Sequence, residues 1–61
     1  MAAKFELYKD AAGEYRWRLR HENGNVIADS GEGYTTKQAA LNGIQSVKEN
    51  ARNAPIVDLT K

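Results

Sequence analysis

"KFELYKDAAGEYRWRLRH", residues 4–21, decides how this 61-residue chain folds. Apolar and polar residues alternate on both sides of Ala11-Ala12-Gly13. Phe5 and Leu7 fall on one side, Glu6 and Tyr8 on the other. Beyond the loop, Tyr15, Trp17 and Leu19 alternate with Arg16, Arg18 and Arg20. A period of two marks a half-buried strand. A three-residue hairpin loop commonly ends in a left-handed residue, and Gly13 adopts that conformation without steric cost. If the loop closes from Asp10 to Glu14, Leu7 faces Trp17 and Phe5 faces Leu19 in an apolar ladder. Tyr8–Arg16, Glu6–Arg18 and Lys4–Arg20 then share the other face. A slip of one residue would set Leu7 against Arg16, so the pattern defends this register.

The reading extends outward from there. "ENGN", residues 22–25, contains Asn-Gly, the strongest short hairpin signal, and predicts a two-residue type I′ turn. That turn pairs His21 with Val26, Leu19 with Ala28 and Trp17 with Ser30. It also sets Arg18 between two carboxylates, Glu6 and Asp29, and puts Ile27 on the arginine face. From residue 34 the period changes. Thr35 is the predicted N-cap, with Gln38 completing a capping box and Tyr34 and Ala39 forming a staple. Ala40, Gly43, Ile44, Val47 and Ala51 make one helical stripe, with Gln38, Asn42, Gln45 and Glu49 opposite. Gly43 costs about 1 kcal/mol in a helix interior relative to Ala. Beside Ala40, it leaves a smooth strip that lets the helix approach the sheet near Trp17. Pro55 disfavours the helical region for Ala54, and "IVDLT", residues 56–60, reads as a short last strand. The predicted order is β-β-β-α-β. This is an α+β fold, an antiparallel sheet with one helix on one face, in a single domain spanning residues 1–61.

Composition narrows the chemistry. A chain this short buries only about 60% of the surface its unfolded form exposes. Small domains usually add a disulfide, a metal or a partner chain. Cysteine is absent and His21 is the one histidine, so a partner chain is the expected staple. Net charge is +1, which confers no general attraction to polyanions. No apolar run approaches the roughly 20 residues that span a bilayer. The opening "MAAKFELYKD" lacks the apolar core of a signal peptide. A cytoplasmic protein with no membrane partner is expected.

Four stretches, "FELYKDAAGEYRWRL", "ENGNVIADSGEGYT", "KQAALNGIQSVKENA" and "IVDLT", stand here in one order. Together they resemble the YegP-like family of small uncharacterised bacterial proteins, from about Phe5 to Thr60. The resemblance implies a β3-α-β unit that occurs as tandem pairs or tight homodimers. In these, two units share one continuous sheet and exchange their C-terminal strands. For a chain holding one unit, it implies a swapped homodimer. It brings no established activity and no catalytic residues.

Four groups of residues invite a functional reading. Lys4, Arg16 and Arg20 on the polar face, with Tyr8 as a stacking platform, suit single-stranded nucleic acid, since basic grooves with aromatics bind it this way. The competing and favoured reading is a solvated face whose arginines pair with Glu6, Glu14 and Asp29, with Arg18 fully engaged and Arg16 and Arg20 freer. "GEGYTTK", residues 31–37, opens a helix, and helix N-termini attract anions, with Thr36 and Lys37 as donors. However, it lacks the Gly-Lys-Ser/Thr ending of a phosphate loop, and Glu32 would repel phosphate, so capping is the expected role. Leu41, Asn42, Ile56, Val57 and Leu59 are the expected dimer contacts, although Asn42 also suits simple solvation. Trp17, Tyr15, Phe5 and Leu19 are read as core rather than pocket.

Catalysis finds little support. His21 lacks the orienting partner that acid–base work needs. Ser30 and Ser46 have no adjacent base. The carboxylates are scattered among arginines. No metal and no cofactor is expected. The expected function is a non-enzymatic homodimeric interaction module with an unidentified protein partner. The alternative is anion or nucleic-acid binding through Lys4, Arg16, Arg20 and Lys37, and an enzyme is the reading the residues support least.

Overall fold

The first loop closes as its spacing requires. The computed structural model describes residues 2–60; Met1 and Lys61, the ends of the expected domain, lie outside the described residues. Strands β1 (Ala3–Lys9) and β2 (Tyr15–His21) pair antiparallel, with Phe5 opposite Leu19, Leu7 opposite Trp17 and Glu6 opposite Arg18. The Asp10 N–H donates to the Glu14 carbonyl at 2.9 Å, and the Gly13 N–H to the Asp10 carbonyl at 3.0 Å. Gly13 has φ +83°. The Asp10 carboxylate accepts from the Ala12 and Glu14 N–H groups at 2.9 Å each.

The second hairpin departs from expectation. A type I′ turn needs positive φ at both central residues, and among the described residues only glycines have it. Instead the His21 N–H donates to the Asn25 carbonyl and the Gly24 N–H to the His21 carbonyl, both at 2.8 Å, with Gly24 at φ +95°. This is a second three-residue loop, built like the first. Local bonds hold it: His21 Nδ1 accepts from the Asn23 N–H, and Asn23 Oδ1 from the Asn25 N–H. The shorter reach of β2 is made up by a β-bulge in β3 (Val26–Asp29), which shifts the register between Leu19 and Arg20. Val26 therefore sits opposite Arg20, and the expected His21–Val26 pair is not formed. Beyond the bulge, Leu19–Ala28 and Arg18–Asp29 pair as read, and the Ser30 N–H reaches the Trp17 carbonyl at 2.9 Å.

The helix starts later than the capping box suggested. The backbone of Tyr34 exchanges two 2.8 Å hydrogen bonds with that of Tyr15. That bridge holds the chain extended beyond Tyr34. Thr36, not Thr35, caps helix α1 (Lys37–Asn50), its Oγ1 accepting from the Ala39 N–H at 3.1 Å. Gln38 bonds Asn42 at 3.0 Å instead of reaching back to the cap.

The core lies between α1 and β2. Trp17, Ala40 and Ile44 are buried, with Phe5, Leu7, Tyr15, Tyr34 and Val47 packed around them. Phe5 meets Trp17 edge to face at 5.6 Å. A Cβ on Gly43 would lie 2.8 Å from Tyr34 Oη and 3.1 Å from Trp17 Nε1. The glycine thus permits the close approach its position suggested. The buried Trp17 N–H has no acceptor among the described residues, a cost of about 1–3 kcal/mol.

After a 3₁₀ turn, Ala51–Asn53, the chain becomes extended at Ala54 (φ −69°, ψ 128°). The expected fourth strand is not formed. Residues 54–60 pair with nothing among the described residues, and the sheet is three-stranded, β1-β2-β3. Period-two sequence favours an extended chain, but a strand also needs a hydrogen-bonded neighbour. The tail lengthens the molecule: its radius of gyration is 13.0 Å, against about 10.5 Å for a compact chain of this length.

Candidate functional site: the arginine face and the tail

Alternation in β2 sends Trp17 into the core and Arg16, Arg18 and Arg20 to the sheet face away from the helix. There the cations are held by two carboxylates. Arg16 Nε donates to Asp10 Oδ2 at 2.6 Å. Arg18 Nε and Arg20 Nε both donate to Glu6 Oε1, at 2.8 and 2.9 Å. Arg20 also donates to the Gly24 carbonyl at 2.7 Å. Lys4 Nζ stands 3.8 Å from Glu6 Oε2 and is largely exposed. The Arg18 guanidinium lies over the Tyr8 ring at 4.5 Å.

Electrostatics follow this geometry. Hydrogen bonds from Arg18 and then Arg20 pull the Glu6 carboxyl down to about 2. The Arg16 hydrogen bond, then the Glu14 N–H, lowers Asp10. Arg16 and Arg20 are therefore as engaged as Arg18, contrary to the expectation that they would be freer. Asp29, an expected partner of Arg18, accepts from the Gly31 N–H instead. Glu14 turns its carboxylate towards Gly33. Asp10 as the partner of Arg16 was missed. The signal was there: closure at Asp10–Glu14 puts Asp10 on the arginine face, diagonal to Arg16, within reach of a long side chain. Tyr8 is no open platform, because Arg18 covers one side of its ring.

The expected binding residues divide between two ends of the sheet. Lys4 and Arg20 border a hollow of about 370 Å³ with Ala3, His21, Glu22 and Gly24. Lys37, in the first turn of α1, borders another of about 320 Å³ with Leu7, Tyr8, Lys9 and Tyr15. Among the described residues, no three His, Cys, Asp or Glu side chains converge as a metal site. No helix there is long and apolar enough to cross a membrane.

The expected dimer contacts are all solvent-facing. Leu41 is exposed on α1 and Asn42 is exposed beside it. The tail is the most open apolar surface: Ile56, Val57 and Leu59 are 96%, 72% and 84% exposed.

Known proteins share this sequence and fold. A family model described as a domain of unknown function, DUF1508, matches residues 10–58. A UPF0339 protein of Methanosarcina acetivorans is 54% identical over 57 residues, covering 93% of this chain and 97% of that one. A UPF0339 protein of Stutzerimonas stutzeri is 53% identical over 51 residues, which are 84% of this chain but 45% of that protein. A solution structure of a Haloferax volcanii protein superposes with a TM-score of 0.87 at 59% identity, covering 92% of this chain and 93% of its own. The relatives extend to archaea, so the group is wider than the bacterial one first supposed.

Proposed function

Because this chain belongs to the DUF1508 family of uncharacterised UPF0339 proteins, whose description assigns no activity, we propose a function argued from its surface. It is a non-enzymatic homodimeric interaction module, expected in the cytoplasm. Two copies exchange their tails, and the assembled surface engages a protein partner. The observation that carries this reading is the tail: three large apolar side chains, Ile56, Val57 and Leu59, stand in water on a segment that pairs with no strand among the described residues.

Magnitudes support it. Burying a Val, Leu or Ile side chain is worth about 1.5–3 kcal/mol, and the tail forgoes three. The lone chain exposes 4971 Å², whereas a compact protein of its mass exposes about 4,000 Å². The surplus, roughly 1,000 Å², exceeds the ~800 Å² per partner of a standard interface. The Stutzerimonas relative, of which this chain matches less than half, has the length for two such units in one chain. Nucleic-acid binding through the arginine face gains no such support, since Asp10 and Glu6 already hold its three arginines.

Sedimentation of the full chain tests this. A dimer is expected at micromolar concentration, with a melting temperature that rises with concentration. Deleting residues 55–61 is expected to abolish the dimer and leave a poorly folded chain. A full-length chain that stays monomeric and melts cooperatively, regardless of dilution, would overturn the reading.

A further inference from the structure

Asn-Gly occurs twice in the chain, at residues 23–24 and 42–43, and the fold treats the two pairs differently. We infer that Asn23 is a site of covalent self-modification: the Gly24 backbone nitrogen attacks the Asn23 side-chain amide, leaving an aspartyl or isoaspartyl residue at position 23. The step is intramolecular. Once the Gly24 N–H has given its proton to solvent, a bond forms from that nitrogen to Asn23 Cγ. The bond from Cγ to Nδ2 breaks, ammonia leaves with a proton from water, and a succinimide ring remains. Water then opens the ring. Cleavage at Cγ restores the ordinary backbone with aspartate, and cleavage at the main-chain carbonyl routes the backbone through Cγ as isoaspartate. One water is consumed and one ammonia released, and nothing is oxidised or reduced.

Local geometry favours the step at Asn23. The Asn25 N–H donates to Asn23 Oδ1 at 2.9 Å. That bond folds the side chain back past the intervening Gly24, so Cγ stands beside the nitrogen that attacks it. It also aims a backbone donor at the oxygen on which negative charge develops as the nitrogen adds. Residues 22–25 are exposed, and a Cβ built on Gly24 would meet nothing within 4 Å, so water has access and the ring has room to close. One contact opposes the attack: the Gly24 N–H donates to the His21 carbonyl at 2.8 Å. At an exposed loop tip such a bond opens at little cost.

Asn42 has none of these advantages. Its Oδ1 accepts from Gln38 Nε2 at 3.0 Å, one turn back along α1 and away from Gly43. Gly43 lies within the helix, close against Tyr34 and Trp17, so its nitrogen cannot swing towards Cγ unless α1 opens. At residue 23 the product matters to both charge and shape. A new carboxylate takes the formal net charge from +1 to zero. The isoaspartyl link also lengthens the loop by one backbone carbon, which disturbs the bond from the His21 N–H to the Asn25 carbonyl that closes the hairpin.

The test is ageing of the full chain at mildly alkaline pH, folded and in guanidinium chloride, followed by peptide mapping. An endoprotease that cuts at aspartyl but not isoaspartyl residues separates the two products. In the folded chain, residue 23 is expected to convert roughly tenfold or more faster than residue 42, because the cost of opening α1 enters the rate exponentially. In denaturant the two should convert at similar rates. Amide exchange at His21 should be faster in the isolated isoaspartyl form than in the parent. Equal rates in the folded chain, or an unreactive residue 23, overturn the site. A preference that persists undiminished in denaturant comes from flanking sequence instead of the fold, and overturns it too. Unchanged exchange at His21 in the isoaspartyl form overturns the effect on the hairpin.

Discussion

β1 and the tail are the same kind of segment in different circumstances. Both are about seven residues long, and both alternate side chains between two faces. β1 is laddered to β2, half-buries Phe5 and Leu7 against Trp17, and directs Glu6 to two arginines. The tail, with comparable apolar content, is exposed from Ala54 to Thr60. The difference is not propensity. β1 is followed by a loop that returns the chain beside it, whereas the tail leaves a helix end with no edge in front of it. A strand is a property of a pair, and among the described residues the tail has no partner.

Four substitutions sharpen or break this contrast. The largest effect is expected from Trp17→Ala, in the closed part of the molecule. Removing a buried tryptophan costs about 3–5 kcal/mol, enough to unfold so small a domain. Its counterpart in the open part is Leu59→Glu. Both should lower the melting temperature, but raising protein concentration should restore Leu59→Glu and not Trp17→Ala. Equal response to concentration would erase the distinction between the two regions.

Gly43→Ala should act more mildly and only on the closed part. Helix propensity gains about 1 kcal/mol, while overpacking against Tyr34 and Trp17 costs about 1–3 kcal/mol. A net loss of up to about 2 kcal/mol in urea unfolding is expected, with altered Trp17 fluorescence. A stabilised variant would mean that the helix has room to rise.

The smallest effect is expected from Glu6→Gln. The Glu6 carboxyl drops from 4.5 to about 2 in the folded chain, so its contribution is complete above about 4.5 and is lost as acid carries the pH towards 2. Thermal melts across that window should fall less steeply for Glu6→Gln than for the wild type. Asp10, lowered in the same direction, keeps some slope in both. The pairs are partly exposed and screened by solvent, so the difference is modest. Identical pH profiles would show that the arginine face adds nothing to the closed region.

Legibility in the sequence followed locality. The β1–β2 register was readable because loop length and apolar pairing gave the same answer, Leu7 to Trp17. The role of Gly43 was readable because helical spacing aims it at Trp17. The second hairpin was misread because Asn-Gly suits a two-residue turn in isolation, whereas His21 and Asn23 side chains stabilise a three-residue one. The N-cap slipped from Thr35 to Thr36 because Tyr34 is bound to Tyr15, a residue nineteen positions away. The arginine partners were half readable: Glu6 lies opposite Arg18 by register, but the shared grip on Arg20 and the reach from Asp10 to Arg16 depend on side-chain paths across the twisted sheet.

By itself, then, the sequence determined the three strands, the single helix and the apolar row. Those follow from periodicity and turn chemistry. Tertiary structure alone decided that the arginines are held by Glu6 and Asp10, where the helix begins, and that the last segment pairs with nothing among the described residues of its own chain. Each of these turns on distances between groups far apart in the chain, and no local pattern encodes them.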